Sequence, residues 1–215
     1  MKFLRRIKAF TLVELLVVIS IIALLAGLAF PSMQKAIVTA QQTQALSNMR
    51  EIGKSVQMSS LDSVATGFGQ SWPVGSTTNF TSGKDYVKYL VDTEVFKAGD
   101  ARIFIASGFT PFIDPNNIVA SQNIAYNFYS VSEEDEGNTV FLTTKNVEYE
   151  GAATVTPGST PATLRPFGEK GFVLLRKGGD ANIYKNPDLK KAGAAATNLM
   201  GRLPMTTPHM LSPAG

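Results

Sequence analysis

The sequence predicts an α+β fold in which one very long amino-terminal helix lies on a carboxy-terminal antiparallel β-sheet. Three observations predict it. An apolar run from Leu15 to Phe30 passes directly into an amphipathic helical pattern that continues to Ser60. Short β-rich runs bounded by Gly, Pro, Asn and acidic residues occupy much of the second half. The chain has 215 residues, 44% of them hydrophobic, which suffices for one ordinary domain with its own core plus an extra element.

Composition removes several function classes. With no Cys, there is no disulfide framework, thiolate metal site or Cys nucleophile. The single His, His209, lies in a Pro-rich tail, a poor place to hold the geometry of a zinc site or a Ser-His-Asp triad, so no catalytic residue is expected. The formal charge of +3 is a property of the first eight residues, which carry Lys2, Arg5, Arg6 and Lys8 and no acid. Without those four, the 20 Lys+Arg fall to 16 against 17 Asp+Glu, a balance of −1. The remainder has no excess of positive charge to neutralise phosphates, so nucleic acid is not an expected partner.

The first element runs from Phe10 to Phe30. Between Leu15 and Phe30 only Ser20 is polar, and the 21 residues from Phe10 span about 31 Å as a helix, the thickness of a bilayer's hydrocarbon core. The preceding basic cluster predicts that residues 1–8 stay cytoplasmic and that the chain after Phe30 is extracytoplasmic. An ordinary signal peptide, cleaved after Gly27-Leu28-Ala29, is the plainer alternative. Glu14 argues against it and against a simple anchor: a carboxylate there costs on the order of 2 kcal/mol or more, so it needs a partner.

The string Lys8-Ala9-Phe10-Thr11-Leu12-Val13-Glu14-Leu15-Leu16-Val17-Val18-Ile19, with Pro31 just past the apolar run, resembles the class III leader and cleavage site of type IV pilins and of the pseudopilins of type II secretion systems. The resemblance covers roughly residues 1–55. It implies a pilin-like fold, with residues 1–9 as a leader removed by prepilin peptidase between Ala9 and Phe10, then N-methylation of Phe10. It implies that Glu14 pairs with the amino terminus of a neighbouring subunit during filament assembly. It also implies a homo-oligomeric helical filament, an inner-membrane assembly platform with a cytoplasmic ATPase, and minor pilins or pseudopilins as partners. Ala9 stands where the family usually has Gly; both are small.

Residues 10–31 are thus expected to be a transmembrane or filament-core helix, with Gly27 and Pro31 as a kink or loosening point because Pro31 removes a backbone hydrogen bond. Residues 32–66 continue as an amphipathic helix whose apolar positions are Met33, Ile37, Ala40, Leu46, Met49, Ile52 and Val56, the stretch from Thr39 to Ala45 being less buried. Residues 67–185 form the globular β-sheet domain. Within it, Lys84 to Lys97 reads as a short helix closed by Gly99, and Trp72 as a packing residue. Strands are expected at Arg102–Ala106, Asn123–Val131, Thr139–Thr144, Gly171–Lys177 and Ile183–Tyr184, with Gly151–Pro166 as a flexible loop. Residues 186–215 are expected to be an irregular tail draped over the domain.

Glu133, Glu134, Asp135 and Glu136 cluster in a hairpin connection and are the candidate ligands for calcium; a solvated hairpin tip is the alternative, and the EF-hand order is absent. Two function classes follow: a filament subunit, or an exported binding module or enzyme that uses the amino terminus only for export. A mature chain beginning at methylated Phe10 distinguishes the first from a chain beginning at Phe30. The absence of Cys counts against pilins with a disulfide-bounded loop and favours the pseudopilin form.

Overall fold

The structure, a computed structural model, describes residues 10–67, 71–74, 80, 82–106, 109, 124–150, 154–157, 165–185, 197–198, 200–204 and 210–211. The leader residues 1–9, including Ala9, and much of the tail beyond residue 185 lie outside them. The chain divides into two units, residues 1–40 and 41–215.

In the first unit the helix α1, Leu12–Thr66, begins, and every residue from Phe10 to Ile37 is exposed. Met33, Ile37 and Ala40, expected on a packing face, are exposed. Pro31 lies inside α1, whose helical run continues without a break.

In the second unit the rest of α1 rests on a sheet. Met49, Ile52 and Val56 recur at helical spacing and are fully buried, worth about 1.5–3 kcal/mol each. The buried stripe starts earlier than expected, because Gln42 and Ala45 are also buried. Gly171 explains this: a Cβ there would lie 3.0 Å from the Gln42 amide, so the missing side chain leaves space for the glutamine.

The main sheet has four antiparallel strands in the order β1-β2-β5-β6: β1 Tyr126–Phe128, β2 Val140–Thr144, β5 Gly171–Arg176 and β6 Ala181–Lys185. Phe128 faces Leu142, Leu142 faces Leu175, and Leu175 faces Ala181, with a bulge between Val140 and Leu142. The central strands β2 and β5 are almost entirely buried, which accounts for their continuous apolar runs. The strands expected over 123–131, 139–144, 171–177 and 183–184 are these four.

Three expectations are corrected. A second two-stranded antiparallel sheet, β3 Val147–Glu150 with β4 Thr154–Pro157, occupies part of the segment assigned to a loop; the pairing Tyr149↔Val155 overrides a Thr- and Ala-rich composition. Arg102–Ala106 is not a strand: Ala98–Phe104 is a 3-10 helix, and Phe104 is buried against Phe96 and Phe128. The short helix α2 is Gly83–Asp92, ending well before Gly99 with Thr93 at its cap and Glu94 in the left-handed region at φ 58°. Its start is capped by Ser82, whose hydroxyl accepts from Asp85 N.

Trp72, Phe141, Phe128, Tyr86, Phe80, Phe104 and Phe96 form a connected set of ring contacts, mostly edge-to-face at about 5–6 Å, that joins α2, the 3-10 helix, β1 and β2. Trp72 has the packing role expected of it. In the tail, Met200 and Leu211 are buried, and Tyr129 bridges to Met210.

Candidate assembly site at the amino end of the long helix

Thr11 is the residue just before α1, and Glu14 is three residues on, the spacing of a capping box. The structure makes both halves of it. Glu14 N donates to Thr11 Oγ1 at 3.2 Å, and Thr11 N donates to Glu14 Oε2 at 2.8 Å. Thr11 Oγ1 also donates to Glu14 Oε2 at 2.8 Å. Two amides at the helix start that have no intrahelical partner are thereby satisfied, and the carboxylate sits where the helix dipole favours a negative charge. Sequence reasoning from burial cost alone finds a charge needing a partner; the Thr-x-x-Glu spacing was the available signal for the cap.

Phe10 immediately precedes this box and is 71% exposed. Among the described residues the side-chain hydrogen bonds of the Glu14 carboxylate all come from Thr11, to one oxygen, and no cation is paired with it. Beyond it the side chains of Leu15, Leu16, Val17, Val18 and Ile19 stand exposed all round the helix. The helix is long and apolar enough to cross a membrane. Gly27 and Pro31 are both exposed, and a Cβ at Gly27 would meet nothing within 4 Å.

The acidic hairpin does not bring its side chains to one point. Glu133 accepts from Ser60 Oγ, Glu136 pairs with Arg202 Nη1, and Asp135 Oδ2 accepts from Ser132 N at 2.7 Å and Ser132 Oγ at 2.9 Å. Glu134 is exposed. Among the described residues no group of three or more His, Cys, Asp or Glu side chains comes together as a metal set. Missed in the sequence is Lys177, whose ammonium donates to the carbonyls of Glu133 at 2.6 Å and Asp135 at 2.8 Å. Its partners lie 44 and 42 residues away, so no local pattern announces it.

Comparison with known proteins bears on the amino end. No curated protein matches the chain, and no solved structure does. Residues 4–30 match the family model of the prokaryotic N-terminal methylation motif, a match that takes in the capping box, Phe10 and the apolar helix. This motif suggests a pilin-like protein processed by a prepilin peptidase, and the exposed apolar helix fits membrane anchoring of such a protein. At its amino end, then, the chain carries the signature of type IV pilins and pseudopilins.

Proposed function

We propose that this chain is a structural subunit of a type IV pilus-like or type II secretion pseudopilus filament, polymerised through its amino-terminal helix. The observation that carries the reading is the exposure of every residue from Phe10 to Ile37 in a segment that also carries the methylation motif. A soluble monomer rarely leaves an apolar surface of that extent in water. Lipid covers it before assembly, and helices of other copies cover it afterwards.

Prepilin peptidase cuts between Ala9 and Phe10, and the new amine on Phe10 is methylated. Before extraction the protein is a single-pass inner-membrane protein with its amino end cytoplasmic and its sheet domain periplasmic. Transfer from lipid to a bundle gains little hydrophobic energy, since lipid tails are as apolar as Leu; close packing and polar pairing supply the specificity. Glu14 is the polar element. Thr11 satisfies part of its hydrogen-bonding capacity but not its charge, and the Phe10 amine of an adjacent copy supplies the opposite charge. Energy for extraction comes from the cytoplasmic ATPase of the assembly platform, and minor pilins or pseudopilins complete the fibre. The role asks no catalysis of this chain.

The test is imaging of filaments sheared from cells, with mass spectrometry of the mature amino terminus. The expected result is fibres containing a chain that begins at methylated Phe10, and membrane-retained but unassembled Glu14→Ala protein. A mature chain beginning at Phe30 overturns the reading.

A further inference from the structure

The connection between β1 and β2 contains four consecutive acids, and one of them, Asp135, is only 5% exposed. A buried carboxylate needs hydrogen bonds and a nearby positive charge. Ser132 supplies two of its hydrogen bonds. A positive charge reaches the backbone of the same hairpin from the end of β5. Lys177 Nζ is 2.6 Å from the Glu133 carbonyl oxygen and 2.8 Å from that of Asp135, and lies over the Trp72 ring at 5.5 Å from its centroid. An ammonium has three donors and no acceptor; here two carbonyls and one aromatic face surround it. Converging carbonyl oxygens in an acidic loop are what a hard dissolved cation uses.

We propose that the Lys177 ammonium is the built-in cation of this hairpin, filling with a side chain the place a dissolved metal ion would take, so that the order of residues 132–137 does not depend on external calcium. The tether is reinforced from both sides. Lys177 N donates to Thr139 O and Gly178 N donates to Gly137 O, each at 2.8 Å, which fixes the lysine backbone against the same hairpin. The hairpin in turn holds α1, because Trp72 Nε1 donates to Ser60 Oγ at 3.0 Å and Ser60 Oγ donates to Glu133. Loosening the cation site therefore reaches the helix as well as the loop.

The experiment uses the full chain in detergent micelles, and Trp72, the only Trp, reports on the site by its fluorescence. For the unaltered protein, the melting temperature and Trp72 emission are expected to be the same in millimolar calcium and in chelator. Lys177→Ala is expected to lower the melting temperature by about 5 °C, to change the emission, and to acquire a stabilising response to calcium or ethylammonium. Lys170→Ala, which removes an exposed lysine, is expected to do none of these. Stabilisation of the unaltered protein by calcium overturns the proposal, and this arm decides even if Lys177→Ala does not fold. So does a Lys177→Ala protein that melts like the parent, or one that responds to neither cation.

Discussion

Thr11 and Glu14 each cap the other's backbone: the threonine hydroxyl accepts from the glutamate amide, and the glutamate carboxylate accepts from the threonine amide. The acid therefore has a job inside its own helix as well as the charge pairing proposed between copies, and the two are separable. Glu14→Gln keeps the capping geometry, since Gln also serves three residues past the cap, but removes the charge. Thr11→Ala keeps the charge and costs about 1 kcal/mol of helix start. Filament yield from sheared cells is expected to fall to background with Glu14→Gln and to drop only partly with Thr11→Ala. Equal loss in both variants means that the cap, not the charge, is what assembly requires.

Gly201 has φ 110°, and a Cβ there would lie 2.2 Å from the carbonyl oxygen of Asn138. That carbonyl cannot withdraw freely, because it accepts from Arg202 N at 3.0 Å, while Gly201's own carbonyl accepts from the Tyr149 hydroxyl at 2.9 Å. Gly201→Ala is expected to cost about 3 kcal/mol in denaturant unfolding, from strained backbone and overpacking together. Gly67 is the control: its φ is 72°, but nothing lies within 4 Å of an added Cβ. Gly67→Ala is expected to cost only the backbone strain, about 1 kcal/mol. Similar losses at the two sites would show that the close approach to Asn138 contributes nothing.

Elements whose cause is local were legible in the sequence, and those whose cause is distant were not. The periodicity of Met49, Ile52 and Val56 and the β-rich run Gly171–Arg176 are written in consecutive residues, and both appear where expected. Arg-Ile-Phe-Ile-Ala has the same β-rich look, yet it joins a 3-10 helix. Phe104's ring is taken up by Phe96 and Phe128, and its carbonyl by Ala125 N at 2.9 Å. The β3–β4 pair fails in the opposite sense, since β4 has turn-like composition and is specified by its partner. At the candidate assembly site, Glu14 stood out by charge in an apolar run, and the cap was spelled by Thr11. The hairpin acids were visible, but the carbonyls that organise around Lys177 belong to the fold.

Gly53 lets α1 come close to the sheet: a Cβ there would be 2.8 Å from Leu175 Cδ2. Two effects oppose each other in Gly53→Ala. Replacing a helical Gly gains about 1 kcal/mol in propensity, while overpacking a core costs about 1–3 kcal/mol. Leu175 is fully buried in β5 and has little room to yield, so overpacking wins and the net loss is expected to be about 1 kcal/mol. Adding Leu175→Val removes the obstructing carbon. The double variant is expected to be more stable than the sum of the single changes by about 0.5–1 kcal/mol, measured by a double-mutant cycle. Strict additivity would place the strain somewhere other than this contact.

High pH should unfold the sheet domain through its tyrosines. Burial pushes the phenols of Tyr86, Tyr126 and Tyr149 above the ordinary value near 10. Each of these groups gives up its proton more readily in the unfolded chain. Their contribution to stability is therefore intact below pH 10 and is lost as pH rises through 10 toward the folded values. Lys145 works the other way, because burial lowers its pKa and the fold is relieved when it loses its charge. It is one partly exposed group against three buried phenols, so the net slope is destabilising. In an alkaline titration of the full chain in detergent, tyrosinate absorbance from these three is expected to lag and to appear together with the loss of near-ultraviolet circular dichroism. All six tyrosines ionising in one step near pH 10, with the dichroism unchanged, would mean that these rings are open to solvent and that the core is not packed as described.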